Sequence, residues 1–154
     1  MFGKKPGEYV RFEFWILTLI AVVFAARLGL SLAGTPIGVA KWASINIVLL
    51  IGLIYCAVAV HTSEFGSYKQ LFGLLLFQLA FAHFLVALAI ILGILTGRDN
   101  IFTAPEFFGG NDGKAWHHVL LHLVLPSIIL TPIYWLIGSG ILFVTRMIRP
   151  KPSV

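Results

Sequence analysis

Charged residues are scarce in this chain. Lys and Arg number 11 and Asp and Glu only 6 among 154 residues, so charged residues make up 11%, against about 25% in an ordinary soluble domain. Hydrophobic residues make up 59%, and the mean hydropathy is +0.97. This composition excludes a water-soluble globule, and it excludes a disordered chain, which has low hydrophobicity and high charge. We predict an integral membrane protein with a single domain over residues 1–154.

Cysteine is almost absent, and the familiar catalytic motifs are missing. The one thiol, Cys56, lies inside an apolar stretch, which excludes an internal disulfide, a Cys-x-x-Cys redox pair and a cysteine-ligated iron–sulfur cluster. The sequence contains no Walker loop, no dinucleotide-binding glycine motif and no His-Glu-x-x-His motif. These absences leave open whether the chain is an enzyme.

Four apolar stretches reach the length of about 20 residues that a helix needs to cross a bilayer core. None of them alternates between polar and apolar residues. Because only helices and closed barrels satisfy their backbone groups in lipid, all four are predicted to be helices. Short connections favour antiparallel neighbours, so the predicted fold is all-α, a four-transmembrane-helix antiparallel bundle. The spans cover about residues 14–33, 42–60, 71–96 and 119–145.

The positive charges indicate the orientation of the bundle. Seven Lys and Arg residues flank the spans on the side of the two termini, and three flank them on the other side. By the positive-inside rule, both termini are predicted to be cytoplasmic.

The net charge of +5 is spread thinly along the chain, without the basic stripe of a nucleic-acid-binding face. The expected partners are the lipid bilayer and either further copies of this chain or other membrane subunits.

The connection between the third and fourth spans, residues 97–118, is the longest of the three. Loops of this length often carry structure or function of their own. A structured outer loop is therefore predicted, and its carboxylates include Glu106 and Asp112.

The strongest candidate site is a pair of histidines at the start of the fourth span. His118 and His122 are four residues apart and share a helix face, the spacing at which two imidazoles can hold one metal ion. The loop carboxylates Asp112 and Glu106 are predicted as oxygen ligands, and the predicted cofactor is haem or a transition metal. Pro126 is expected to kink the helix just below the pair. The alternative is that these histidines only contact lipid headgroups.

Two polar side chains from other spans are expected at the same depth. Arg27 in the first span and Asn46 in the second lie near the outer ends of their helices. A charged side chain inside the membrane is costly, which makes it a candidate for function. Arg27 is predicted to neutralise an anionic group of a cofactor or lipid, and the alternative is that it extends to the headgroups.

His83 lies near the middle of the third span. A histidine there can ligate haem, serve a quinone or a proton relay, or bridge two helices. From the helical rise of about 1.5 Å per residue, His122 is expected about 10 Å closer to the outer surface than His83. The two are therefore not expected to pair within one chain. Gln78 lies about 140° around the helix from His83 and is not expected to share its site.

Together these residues predict a small membrane protein with a histidine-based cofactor or metal site near the outer face, acting in redox chemistry or electron transfer. Two alternatives stay open. The small size and the lack of catalytic motifs also fit a non-catalytic accessory subunit of a larger membrane complex. A small lipid-directed enzyme or carrier would use Arg27 to bind an anionic headgroup and His122 as a general base.

Overall fold

The computed structural model describes residues 2–107 and 112–150. Within these two ranges the chain forms helices and no strand. Four helical segments are long and apolar enough to cross a membrane, which confirms the prediction of four long apolar helices. They cover Phe14–Leu32, Ile37–Thr62, Tyr68–Thr96 and Trp116–Ile148.

The second and fourth of these segments are each built from two α-helices. We number the α-helices of the described residues in chain order as α1 (Pro6–Phe12), α2 (Phe14–Leu32), α3 (Ile37–Ala40), α4 (Ile45–Thr62), α5 (Tyr68–Thr96), α6 (Trp116–Leu125) and α7 (Thr131–Ile148). A short 3₁₀-helix, Pro105–Phe107, lies in the connection between α5 and α6. One π-helical turn, Pro126–Leu130, joins α6 to α7.

The ends of α5 follow from local chemistry. At its start, the side-chain oxygen of Gln70 accepts a hydrogen bond from the backbone N–H of Ser67 at 2.9 Å, which satisfies a donor that the helix itself cannot pair. At its end, Gly97 has a φ of 67°, a left-handed conformation that glycine adopts without steric cost. The longest helix is therefore bounded at both ends by its own sequence.

Both described chain ends lie at the same end of the bundle. The side-chain amide of Gln70 donates to the carbonyl oxygen of Phe2 at 2.6 Å. Nε2 of His61, near the end of α4, donates to the carbonyl oxygen of Arg149 at 2.7 Å. We call this the terminal end, and we call the opposite end, which carries the connection between α5 and α6, the loop end.

Two buried apolar clusters hold the helices together. The loop-end cluster joins α2, α4, α5 and α6, and it includes Ile20, Leu49, Leu79, Ile90 and Val119. The terminal-end cluster joins α1, α4, α5 and α7, and it includes Tyr9, Leu53, Cys56, Leu71, Leu75 and Leu142. The large apolar side chains that remain exposed are those expected to face lipid.

The segment after α5 folds back into the bundle. The side-chain amide of Asn100 donates to the carbonyl oxygen of Ala89 at 2.8 Å. Ala89 precedes the end of α5, Thr96, by seven residues, so the segment returns about 10 Å into the bundle. The backbone N–H of Gly113 donates to the carbonyl oxygen of Thr103 at 3.2 Å, and an added Cβ at Gly113 would lie 2.6 Å from that oxygen. The chain therefore enters α6 from inside the bundle.

The fourth segment changes its winding at Pro126. Proline has no N–H to donate and crowds the preceding turn. The helix accommodates it with the π-helical turn Pro126–Leu130, a common form of local helix distortion. The hydroxyl of Thr131 donates to the carbonyl oxygen of Pro126 at 3.1 Å. The distortion predicted at Pro126 takes the form of this wider turn.

Candidate functional site

Three histidines from two helices form a hydrogen-bonded series in the loop-end half. Nδ1 of His83, on α5, lies 2.8 Å from Nδ1 of His122, on α6. Nε2 of His122 lies 3.1 Å from Nε2 of His118, one turn earlier on α6. Nδ1 of His118 lies 2.8 Å from the carbonyl oxygen of Gly113. We call these three side chains the histidine chain.

The carbonyl group of Gly113 determines which nitrogen donates and which accepts in each hydrogen bond of the histidine chain. Because a carbonyl oxygen only accepts, the hydrogen-bond network assigns the proton of His118 to Nδ1. Nε2 of a neutral His118 then accepts from the Nε2–H of His122. By the same reasoning, Nδ1 of His122 accepts from the Nδ1–H of His83. When all three rings are neutral, Nε2 of His83 therefore carries a lone pair that accepts no hydrogen bond from the other two histidines.

The contact between His83 and His122 shows that the predicted depth difference of about 10 Å was wrong. That prediction assumed that the fourth span begins at the loop-end surface. The hydrogen bond from Asn100 to Ala89 draws the connection into the bundle by about the same distance. As a consequence, α6 begins deeper than expected, and His122 reaches the level of His83.

The histidine chain borders a cavity of about 290 Å³ between α2, α4, α5 and α6. Arg27 from α2 and Asn46 from α4 line this cavity together with His83, His118 and His122. The other side chains around it are apolar: Ile45, Leu49, Ala82, Val86, Ile101 and Phe102. Five of the residues proposed from the sequence therefore surround one space.

Arg27 is poorly satisfied by the protein. Its Nη1 donates to the carbonyl oxygen of Ala43 at 3.5 Å, the outer limit of a hydrogen bond, and its buried Nε has no partner among the described residues. The guanidinium carbon lies 5.4 Å from the centre of the Phe102 ring, a cation–π contact. No carboxylate of the described chain lines the cavity. The guanidinium is thus a positive charge with free donors beside the histidine chain.

The two carboxylates predicted as metal ligands do not line this cavity. Oδ1 of Asp112 accepts from the backbone N–H of Lys114 at 2.8 Å and lies 3.1 Å from its Nζ, with 61% of the Asp112 side chain exposed. The backbone and side-chain hydrogen bonds from Lys114 lower the pKa of Asp112. Glu106 is exposed on the short 3₁₀-helix. Both carboxylates belong to the surface of the loop end.

A single metal ion bound by all three histidines does not fit this arrangement. His122 directs Nδ1 at His83 and Nε2 at His118, so its two nitrogens point to different places. In the part of the chain that the structure describes, no group of three or more His, Cys, Asp or Glu side chains has the arrangement of a metal site. An ion held between His118 and His122 would replace the hydrogen bond between them.

A second, apolar groove adjoins the same histidines. Its volume is about 210 Å³, and it is lined by His83, His118, Leu121, His122, Leu125, Pro126 and Leu130. Apart from the histidines, this groove offers only apolar side chains and the ring of a proline. The histidine chain therefore lines both a cavity with polar groups and a groove suited to hydrocarbon.

Two buried polar residues in the terminal-end half were not predicted as candidates. Glu13, between α1 and α2, and Gln78, on α5, are both fully buried. The first span predicted from the sequence begins at Phe14, so Glu13 lies just outside it. The apolar and aromatic residues that precede Glu13, Tyr9 and Phe12 among them, are the signal that this helix continues into the bundle.

Comparisons of the chain with models of protein families, with curated proteins and with solved structures find no match. The function is therefore argued from the geometry and chemistry of the cavity.

Proposed function

We propose that the chain is a small membrane redox component that binds the headgroup of a quinone-class molecule in the cavity beside His83. The observation that carries this proposal is the direction of the histidine chain next to Arg27, whose Nε has no partner among the described residues. His83 presents an acceptor at Nε2, and Arg27 presents N–H donors. A ring that carries a hydroxyl and a carbonyl or oxyanion matches both.

The size of the cavity favours a single substituted ring. Its volume of about 290 Å³ lies at the lower end of the range of about 300–1,000 Å³ typical of ligand pockets, which disfavours a macrocycle such as haem. His83 and His122 are hydrogen-bonded to each other, so there is no gap between their rings for a haem iron. The groove along Leu121, Leu125 and Leu130 suits the hydrocarbon tail of a membrane quinone.

Proton transfer is the step for which His83 is placed. The hydroxyl of a bound quinol donates to Nε2 of His83, and its proton moves to this nitrogen as the quinol is oxidised. The Nδ1 proton of His83 then passes to Nδ1 of His122, and the Nε2 proton of His122 passes to Nε2 of His118. His118, which lines the same cavity, releases a proton to water there, and the reverse tautomer change of the rings restores the starting state. Arg27 stabilises the negative charge that develops on the ligand oxygen.

The electrons need a second component. Complete oxidation of a quinol to a quinone releases two protons and two electrons. The protons leave by the histidine chain and by water in the cavity. The electrons pass to a haem or iron–sulfur centre of a partner membrane subunit, which is the proposed role for other subunits around this chain.

The distribution of Lys and Arg indicates on which side of the membrane the cavity lies. Seven of the ten Lys and Arg residues that flank the spans lie on the side of the two termini. We therefore propose an antiparallel bundle whose termini are cytoplasmic. The cavity then lies in the outer leaflet, and the histidine chain releases protons on the outer side.

An anionic lipid headgroup is the second candidate ligand. It is favoured by Arg27, whose buried Nε has no partner among the described residues. A phosphate would bind the guanidinium, but it needs no proton acceptor and therefore gains little from Nε2 of His83. The dependence of binding on His83 distinguishes the two ligands.

Calorimetric titration of the purified protein with a short-chain benzoquinol tests the proposal. We expect saturable binding that His83→Gln and Arg27→Gln each weaken by about tenfold, as expected for a lost hydrogen bond to a charged or proton-accepting group. The matched control is His117→Gln, because His117 is exposed on α6 and lines neither the cavity nor the groove.

Two results would contradict the proposal. One is the absence of saturable quinol binding, with binding of phosphatidylglycerol that depends on Arg27 and not on His83. That result would support the lipid ligand. The other is a Soret band in the absorption spectrum, or a stoichiometric transition metal by elemental analysis, in the purified chain after all other subunits have been removed.

A further inference from the structure

Glu13 is a carboxylic acid inside the terminal-end half of the bundle. It is fully buried, and it forms no ion pair with a described Lys, Arg or His. Oε2 lies 4.0 Å from Sγ of Cys56, and Oε1 has no hydrogen-bond partner among the described residues. Cys56 precedes the end of α4, Thr62, by six residues, so this contact lies about 9 Å inside the terminal end.

Burial of the Glu13 carboxyl group costs free energy, which a purely structural role does not explain. An ionised carboxylate without a partner is strongly unfavourable in apolar surroundings. A neutral carboxyl group there still has to pair its hydroxyl and its carbonyl oxygen. The surrounding cluster of Tyr9, Leu53, Leu74 and Leu142 supplies mainly hydrocarbon. A water molecule at Oε1 is the simplest partner for the unsatisfied atom.

A second unsatisfied oxygen lies about one helical turn closer to the loop end. Gln78 is fully buried, its Nε2 donates to the carbonyl oxygen of Leu49 at 2.8 Å, and its Oε1 has no described partner. The Gln78 side chain packs on Gly52, where an added Cβ would lie 2.5 Å from Nε2. Gly52 and Cys56 are four residues apart on α4, about 6 Å along the helix. Along the helix axis, one or two water molecules span a separation of this size.

Gln78 in turn is hydrogen-bonded to a residue that lines the cavity. Its amide is held by the carbonyl oxygen of Leu49, and Leu49 lines the cavity together with Asn46 and His83. From His83 the histidine chain continues toward the loop end. Buried polar groups therefore follow one another from the Glu13 level to the far side of the bundle.

We infer that Glu13 and Gln78, with water at their unsatisfied oxygens, form a proton path between the terminal end and the cavity of the histidine chain. Glu13 takes a proton from water on the terminal side and releases one to the water beside Gln78, so the carboxyl group returns to its starting state. Gln78 orients that water and does not titrate. No electron moves in this step, and the path does not depend on which molecule the cavity binds.

Proton flux into liposomes tests this inference. The full chain is reconstituted with a pH-sensitive dye inside the vesicles, and a potassium gradient with valinomycin drives proton movement. We expect a flux clearly above that of protein-free liposomes, and a decrease of about tenfold or more in Glu13→Gln, because a proton-transfer group is removed. Glu8→Gln is the matched control, since Glu8 is an exposed carboxylate on α1 that pairs with Lys4. Its flux should equal that of the wild type.

Gly52→Ala tests the relay without removing a titratable group. The added methyl group displaces the flexible end of the Gln78 side chain, so the flux should fall while Glu13 stays in place. Gly140→Ala adds the same methyl group where no atom lies within 4 Å, and it should leave the flux unchanged. Equal fluxes in both alanine variants would remove Gln78 from the path.

Infrared spectroscopy shows whether the Glu13 proton exchanges with solvent. The carbonyl band of a protonated carboxyl group should disappear in Glu13→Gln and should shift in D₂O in the wild type. A band that never shifts, a wild-type flux equal to that of protein-free liposomes, or an unchanged flux in Glu13→Gln would each overturn the inference. A helical circular dichroism spectrum and a melting temperature like those of the wild type show that Glu13→Gln is folded. Because binding and flux are separate readouts, either proposal can fail without the other.

Discussion

The two halves of the bundle bury polar groups in different ways. In the loop-end half, Arg27, Asn46 and the histidine chain surround a cavity of about 290 Å³, and each histidine is hydrogen-bonded to the next. In the terminal-end half, Glu13 and Gln78 are fully buried, and each has one oxygen without a partner among the described residues. The first arrangement suits a ligand of the size of a small ring. The second presents single oxygen atoms, which suit water and protons.

Under the two proposals, the same four helices serve two purposes. A connected set of polar side chains stays ordered because each group satisfies the next. An isolated polar group in a packed cluster costs free energy, and it persists where its chemistry is used. Four changes, taken from the largest expected effect to the smallest, test whether the halves differ as described.

Leu75→Ala should have the largest effect, because Leu75 is fully buried in the terminal-end cluster. We expect a loss of about 2–5 kcal/mol in the free energy of unfolding, as is typical of a cavity in a packed core. Leu136→Ala on the exposed face of α7, where 65% of the leucine is accessible, is the control and should change little. Reversible denaturation in detergent micelles measures both variants. Equal losses in the two would mean that the terminal-end half is loosely packed.

Gly113→Ala should damage the loop-end half. The added Cβ would lie 2.6 Å from the carbonyl oxygen of Thr103, and relieving such a clash costs about 1–3 kcal/mol. The shift also moves the carbonyl group that holds His118, so quinol affinity should fall along with stability. Gly38→Ala, where no atom lies within 4 Å of the added Cβ, provides the comparison. Unchanged quinol affinity in Gly113→Ala would show that quinol binding does not depend on the hydrogen bond between His118 and Gly113.

Glu13→Met should have an effect of opposite sign. An apolar side chain of similar length removes the unsatisfied carboxyl group, and we expect the free energy of unfolding to rise by about 1–3 kcal/mol. The same variant should lose proton flux, so that stability and activity change in opposite directions. A decrease in stability would show instead that the contact with Cys56 holds α1 and α2 in place. Thermal denaturation beside the flux assay measures both quantities.

Asp112→Asn should have the smallest effect. Asp112 lies at the surface and pairs with Lys114, and exposed ion pairs contribute little to stability. We expect no measurable change in melting temperature or in quinol affinity. A loss of bound transition metal in this variant would restore Asp112 as a metal ligand and would contradict the proposed organic cofactor.

The parts of the structure that depend on composition and on spacing within a helix are predictable from the sequence. The four apolar helices follow from hydropathy alone, and the shared face of His118 and His122 follows from their separation of four residues. The depth of His122 relative to His83 depends on how the connection between α5 and α6 folds. The hydrogen bonds from Asn100 to Ala89 and from Gly113 to Thr103 hold that connection inside the bundle, and no periodicity encodes them.

The burial of Glu13 was not predicted for a related reason. A hydropathy window ends a span at the first charged residue and takes that residue to be solvated. In the structure, Tyr9 on α1 is fully buried, and its ring stacks on Phe77 with a centroid distance of 5.7 Å. This aromatic contact draws α1 against α5, and Glu13 is buried along with it.

The π-helical turn at Pro126–Leu130 also constrains how the length of this chain can change. A π-helical turn contains one residue more than the α-helical turn it replaces. Deleting one residue, such as Ile129, would restore a regular α-helical turn and keep the faces of α6 and α7 in register, so His118 and His122 would still face His83. Deleting one residue from the regular part of α6, such as Leu123, would instead rotate His118 and His122 by about 100° against α7. Related chains should therefore tolerate the loss of one residue within Pro126–Leu130 more readily than the loss of one between His122 and Pro126.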